Sequence, residues 1–134
     1  MLKKAIIHTD GGARGNPGPS GIGVVIELDG QVHKFKEFIG HATNNQAEYR
    51  AVLLALEKAK ELGVEEADVF LDSELVKQQL AGNYKVKNVD LQPLFLKIWN
   101  ISQSFKKVKY THVARNDNKE ADKLVNEVLD ENGK

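Results

Sequence analysis

Ala5-Ile6-Ile7-His8-Thr9-Asp10-Gly11-Gly12-Ala13-Arg14-Gly15-Asn16-Pro17-Gly18-Pro19-Ser20-Gly21-Ile22-Gly23 is the stretch whose reading decides the fold. An apolar strand, Lys4 to Asp10, delivers a carboxylate to its own end, and Ile6 and Ile7 cover both of its faces. The chain is then expected to turn through the six residues before Pro17, three of them glycine: Gly11, Gly12 and Gly15. Glycine there permits positive φ and close approach of a ligand to the backbone. One aspartate at a strand end means little. Asp10 becomes a centre because Glu48, Asp72 and Asp122 also stand where a fold could gather them.

Outward from that strand, Gly21 to Leu28 reads as a second strand, and Asp29-Gly30 is a hairpin-turn signal. A third strand, about Val32 to Ile39, is mixed in polarity and therefore an edge. Thr43-Asn44-Asn45-Gln46 opens a helix in which Thr43 and Gln46 form a capping box and either asparagine can also cap. Apolar residues crowd its circumference, so it is expected to be buried, and Gly63 ends it. Glu48 lies in its first turn, where the helix dipole favours negative charge.

Ala67 to Asp72 is another short strand ending in aspartate, and Ser73 caps a helix running to Gly82. An irregular linker with Lys85 and Lys87 leads to a helix over 91–103 with Leu94, Ile98 and Ile101 inward and Trp99 expected in the core. Val108 to Val113 is the last strand. Asp117 and Glu120 predict a second capping box for the final helix, whose stripe is Ala121, Leu124, Val125, Val128 and Leu129. Asp122 flanks that stripe. Strands separated by helices pair parallel with right-handed crossovers, whereas the opening hairpins are antiparallel. The expectation is an α/β fold with one mixed sheet flanked by helices.

At 134 residues the chain is expected to form a single domain, 1–134, with a sizeable core. Its 19 basic residues balance 19 acidic ones, which does not favour broad electrostatic attraction to nucleic acid; binding of that kind needs local patches. There is no cysteine, hence neither a disulfide scaffold nor a thiolate metal site. No apolar run is long enough to span a membrane, and Met1-Leu2-Lys3-Lys4 carries no signal-peptide pattern. A cytoplasmic monomer is the default expectation.

Two acids end strands and two sit at helix starts. In open α/β sheets the carboxyl ends of strands line the ligand crevice, so Asp10 and Asp72 are candidate neighbours, with Glu48 and Asp122 reaching the same rim. Clustered carboxylates repel and shift upward in pKa. Hard divalent cations relieve this, Mg²⁺ being the natural choice for an all-oxygen site, and two ions about 4 Å apart suit in-line phosphoryl displacement. Each acid alone is equally a dipole complement or a turn residue; the four together are harder to explain that way.

Taken in order, Thr9-Asp10-Gly11-Gly12 with Gly15-Asn16-Pro17-Gly18-Pro19, Thr43-Asn44-Asn45 with Glu48, Asp72-Ser73, and Asn118 through Ala121-Asp122 resemble a ribonuclease H of type 1. The resemblance spans nearly the whole chain. It implies a ribonuclease H-like fold: a five-stranded mixed sheet, its first three strands antiparallel, with helices on both sides. It also implies Asp10, Glu48, Asp72 and Asp122 as catalytic metal ligands for two Mg²⁺ ions, with Mn²⁺ as a substitute. The implied reaction is hydrolysis of the RNA strand of an RNA–DNA hybrid, leaving 5′ phosphate and 3′ hydroxyl ends. Asn16, Asn44 and Asn45, with Gly11, Gly12, Arg14 and Thr43, are the implied substrate contacts, suited to reading the 2′-hydroxyl.

The segment from Gly82 to Asp90 is too short for the basic protruding helix of many relatives, so the chain resembles the handle-less branch. Hybrid grip then rests on fewer cations, such as Arg14, Lys85 and Lys87, and is more salt-sensitive. Relatives with the protruding helix carry a loop histidine before the last acid. Here His112 and Arg115 compete for that place. Alternation puts His112 on one strand face with Val108 and Tyr110, as a satisfied strand histidine, whereas Arg115 lies beyond the strand and is always charged. Arg115 is therefore the expected auxiliary catalytic residue. The alternative for the whole chain is a catalytically silent nucleic-acid-binding module on the same fold.

Overall fold

The structure, a computed structural model, describes residues 2–132. Its elements are β1 (Lys4–Ala13), β2 (Gly18–Leu28), β3 (Gln31–Ala42), α1 (Asn44–Glu61), β4 (Glu66–Leu71), α2 (Glu74–Leu80), α3 (Gln92–Ser102), β5 (Lys107–His112) and α4 (Lys119–Glu131), with a 3₁₀ turn over Arg115–Asn118 leading into α4. The five strands form one sheet in the order β3-β2-β1-β4-β5. β1, β2 and β3 pair antiparallel, and β4 joins β1 and β5 in parallel, as expected for an open mixed sheet.

The sheet buries its two faces differently. Ile7, Val24, Ile26 and Val69 point to one side, where Tyr49, Val52, Ala55, Leu56 and Ile98 from α1 and α3 close a single large core. On the other side α4 lays Ala121 and Leu124 against Val25. Capping agrees with the sequence at α1, where Gln46 N–H donates to Thr43 Oγ1 and Thr43 N–H donates to the Gln46 side chain. Gly63, at φ 81, closes the same helix.

Five expectations fail in informative ways. First, Gly11 and Gly12 are not in a turn: β1 continues to Ala13, pairing Gly11 with Ile22 and Gly12 with Gly21, and of the three glycines only Gly15 has positive φ (83). Second, Asp117 and Glu120 form no capping box. The 3₁₀ turn intervenes, Asn118 occupies the N-cap without a side-chain cap bond, and Glu120 pairs with Lys34 instead. Third, Trp99 is 53% exposed, because Ile98, one position earlier, takes the inward place on α3. Fourth, His112 is exposed at the last position of β5, past the part of the strand that the core covers. Fifth, the helix capped by Ser73 stops at Leu80, two residues before Gly82.

Candidate active site

Asp10 is held near the end of β1 opposite Gly23 of β2, on the face that carries α4. Residue 11 points to the other face, toward the first turn of α1. A Cβ at Gly11 would overlap the Ala47 carbonyl and lie 2.7 Å from the Glu48 nitrogen. Only glycine lets α1 come this close, and the reward is direct: Gly11 N–H donates to Glu48 Oε1 at 2.6 Å. The strand backbone thus fixes the glutamate. A second close approach sets the other side. A Cβ at Gly23 would stand 2.6 Å from the Ala121 carbonyl, so α4 also rests on bare backbone one residue before Asp122.

The two helices and the end of β4 bring the acids together. Carboxylate oxygens of Asp10, Glu48 and Asp72 all lie within 4.8 Å of one another. Asp122 stands beside Asp10, close enough for one carboxyl to donate to the other when protonated. Burial, then the charges of Asp72 and Asp122, push the Asp10 carboxyl up to about 7. Glu48 is also pushed well above the usual carboxylate range, by burial first and then by Asp10 and Asp72, against the opposing Gly11 N–H. The donor set is all hard oxygen, converges on a common volume, and is short of positive charge. It fits a divalent cation.

Around the acids runs an open groove of about 520 Å³ whose lining includes Gly12, Asn44, Asn45, Ser73, Arg115 and Asn126. Asn44 does not cap α1. Its Oδ1 accepts from Ala13 N–H at 2.8 Å, and its own N–H donates to Asn16 Oδ1 at 3.0 Å, so the two asparagines stitch the β1–β2 loop to the helix start. Their amide nitrogens remain available for a ligand. Arg14 reaches the groove but pairs with Asp130 of α4 at 2.7 Å. Arg115 projects from the 3₁₀ turn with its side chain 81% exposed and its guanidinium 3.7 Å from Asp122. Asn16 and Thr43 stand behind the groove wall, at the loop and helix cap that shape it. Lys85 and Lys87 are exposed on the linker and do not line it.

Three lining or supporting residues were given no site role from the sequence. Asn126 donates to Asp122 at 3.5 Å, a contact that its i+4 spacing on α4 could have suggested. Ser73 was read as a cap and, beside Asp72, as part of the motif that carries the resemblance. Asn118 reaches from the start of α4 to β1 and Asp72, which no local pattern announces.

The family model described as reverse transcriptase-like matches residues 8–128. A bifunctional protein of Mycobacterium tuberculosis is 42% identical over 130 residues, covering 95% of this chain and 36% of that protein. The chain thus spans little more than a third of this relative's length. Ribonuclease HI of Halobacterium salinarum is 41% identical over 126 residues, covering 92% of this chain and 63% of that protein. Among solved structures, LC11-RNase H1 in complex with an RNA/DNA hybrid superposes with a TM-score of 0.91 at 44% identity, covering 97% of this chain and 99% of that one. With its five-stranded mixed sheet and carboxylate cluster, the chain belongs to the reverse transcriptase-like family, in its type 1 ribonuclease H branch.

Proposed function

We propose that the chain is an endoribonuclease that hydrolyses the RNA strand of RNA–DNA hybrids. The observation that carries this reading is the convergence of Asp10, Glu48 and Asp72, with Asp122 alongside, at the floor of an open groove. These four carboxylates would hold two Mg²⁺ ions, or Mn²⁺ in their place. When bound, such ions activate a water and neutralise charge on the reacting phosphate.

The chain's own groups do the rest. Gly11 N–H keeps one Glu48 oxygen engaged and aims the other into the cluster. Asn16 and Asn44 hold the loop and helix start together, and the free amides of Asn44 and Asn45 face the groove where a ribose 2′-hydroxyl would offer both donor and acceptor. Backbone at Gly11 and Gly12, with Arg14, completes the substrate wall, and Thr43 supports it from the cap of α1. Arg115 is exposed and permanently charged; it would turn from Asp122 to the phosphate and stabilise charge there rather than carry a proton. Water oxygen bonds to phosphorus, the P–O3′ bond breaks, and the products carry 5′ phosphate and 3′ hydroxyl ends. The protein works as a monomer in the cytoplasm. No helix among the described residues is long and apolar enough to cross a membrane.

The test is incubation with labelled RNA–DNA hybrid and duplex DNA, with Mg²⁺ or with a chelator. The expected result is cutting of the RNA strand of the hybrid alone, abolished by chelation. Equal cutting of duplex DNA, or tight hybrid binding without any cleavage, overturns the reading.

A further inference from the structure

Asn118 is 1% exposed at the N-cap of α4, a position where asparagine ordinarily accepts a hydrogen bond from its own helix. It makes no such bond. Its Nδ2 instead donates to the Thr9 carbonyl at 2.8 Å and to Asp72 Oδ2 at 3.2 Å. Both partners are pure acceptors, so the amide orientation is dictated: a flip would set oxygen against oxygen. The same orientation leaves Asn118 Oδ1 buried without a hydrogen-bond partner among the described residues. A side chain that gives up its cap and strands its own oxygen is serving something other than its helix.

What it serves is readable from its partners. Thr9 precedes Asp10, Asp72 is a member of the carboxylate cluster, and Asp122 lies one turn further along the helix that Asn118 begins. We propose that Asn118 is a positioning residue of the metal centre, clamping the Asp72 carboxylate to the β1 backbone and registering the start of α4 against both. This rests on the reading of the acids as cation ligands. The clamp needs two donors on a short side chain. Asparagine has them; serine has one, aspartate in its charged form none, and lysine or arginine too much length. By occupying Asp72 Oδ2 it also leaves the other oxygen for the cation, as partners of ligating carboxylates do.

The experiment uses the full chain with Asn118→Ala and its isostere Asn118→Asp, and reads the Mg²⁺ dependence of the melting temperature beside kcat and KM for a hybrid. The expected result for both variants is a rise of about ten-fold in the Mg²⁺ midpoint and a fall in kcat, with KM for the hybrid within about two-fold of wild type. A merely structural asparagine would lower the melting temperature and leave the Mg²⁺ midpoint where it was; that outcome in a folded variant overturns the proposal. Should neither variant fold, the wild-type side-chain amide signals of Asn118 decide. They are expected to shift with added Mg²⁺ in step with the Gly11 backbone amide, and stationary signals overturn the clamp. Asp10→Asn is the control. If it loses Mg²⁺ stabilisation while the Asn118 variants keep theirs, only the clamp fails; a wild type indifferent to Mg²⁺ overturns the metal reading and the clamp together.

Discussion

Helices α1 and α4 press on the same pair of strands from opposite faces, and they are held by different means. α1 buries Ala47, Tyr49, Ala51, Val52, Ala55, Leu56 and Ala59, together with the carboxylate-bearing Glu48. It is surrounded, and the hydrophobic effect holds it along its length. α4 buries one stripe only, and its outer edge is tied to the sheet by exposed ion pairs: Lys34–Glu120 at 3.1 Å, Lys36–Glu131 at 2.7 Å and Arg14–Asp130 at 2.7 Å. Such pairs are screened and individually weak. Yet both helices meet the strands in the same way near the acids, by backbone resting on glycine. The lesson is that the site depends on clearance at two glycines, whatever holds each helix elsewhere.

Asp10 is where the two sides meet, so its substitution has the largest effect. Asp10→Asn is expected to reduce hybrid cleavage below detection while the metal-free protein melts higher, because one repelling charge is gone. A folded variant that cuts at the wild-type rate removes Asp10 from the chemistry.

A graded series of added methyls tests the clearance directly. Gly11→Ala meets only backbone and is expected to cost about 3 kcal/mol or more by urea unfolding. Gly23→Ala meets the Ala121 carbonyl but also the Leu124 side chain, and about 2 kcal/mol is expected. Gly21→Ala meets chiefly the Val128 Cγ1, which can rotate away, for about 1 kcal/mol. Equal costs at all three positions would show that backbone contact is not what distinguishes them.

The repulsion between acids from the two sides has a pH signature. A carboxyl whose folded pKa is raised stabilises fully below its unfolded value and loses that contribution as pH rises through the folded one. With Asp10 at about 7, metal-free stability should fall between about pH 4 and pH 7, by roughly 4 kcal/mol relative to Asp10→Asn. Saturating Mg²⁺ should flatten the slope. A metal-free wild type that gains stability over Asp10→Asn as pH rises has the wrong sign for this cluster.

The smallest effect belongs to Arg115, which leads into α4 but touches no core. Arg115→Ala should lower turnover by about ten-fold with an unchanged melting temperature. His112→Ala, given its exposure, should change neither. Full turnover in Arg115→Ala, or loss in a folded His112→Ala, reverses the assignment.

Much of this was legible because the signals are local. The Thr43–Gln46 box, the Asp29-Gly30 turn and the stripe of α4 each depend on residues a few positions apart. The four acids were legible as a set placed near element ends, although β1 runs three residues past Asp10. What escaped depends on contacts between distant segments. Gly11 looked like a turn residue because its reason, the Ala47 backbone, lies in a helix that periodicity cannot place against it. Asp117 looked like the cap because that is its usual local job, but Asn118 takes that place; the pull of Thr9 and Asp72 on Asn118 is purely tertiary. Trp99 looked like core by residue type, yet Ile98, already expected inward, holds the buried place and its neighbour Trp99 faces outward.

The glycine seam under α4 also has a consequence in time. Ribosomes deliver this chain from its amino end, and of the elements described α4 emerges after all the others. Until it does, Gly21 and Gly23 present bare strand backbone, Asn118 has not reached Asp72, and Asp122 is missing. Every strand and the residues of the large core are therefore in hand before the carboxylate cluster can gain its fourth member. Order of synthesis and order of assembly coincide here: the cluster closes when α4 settles into the space that two absent side chains leave open for it.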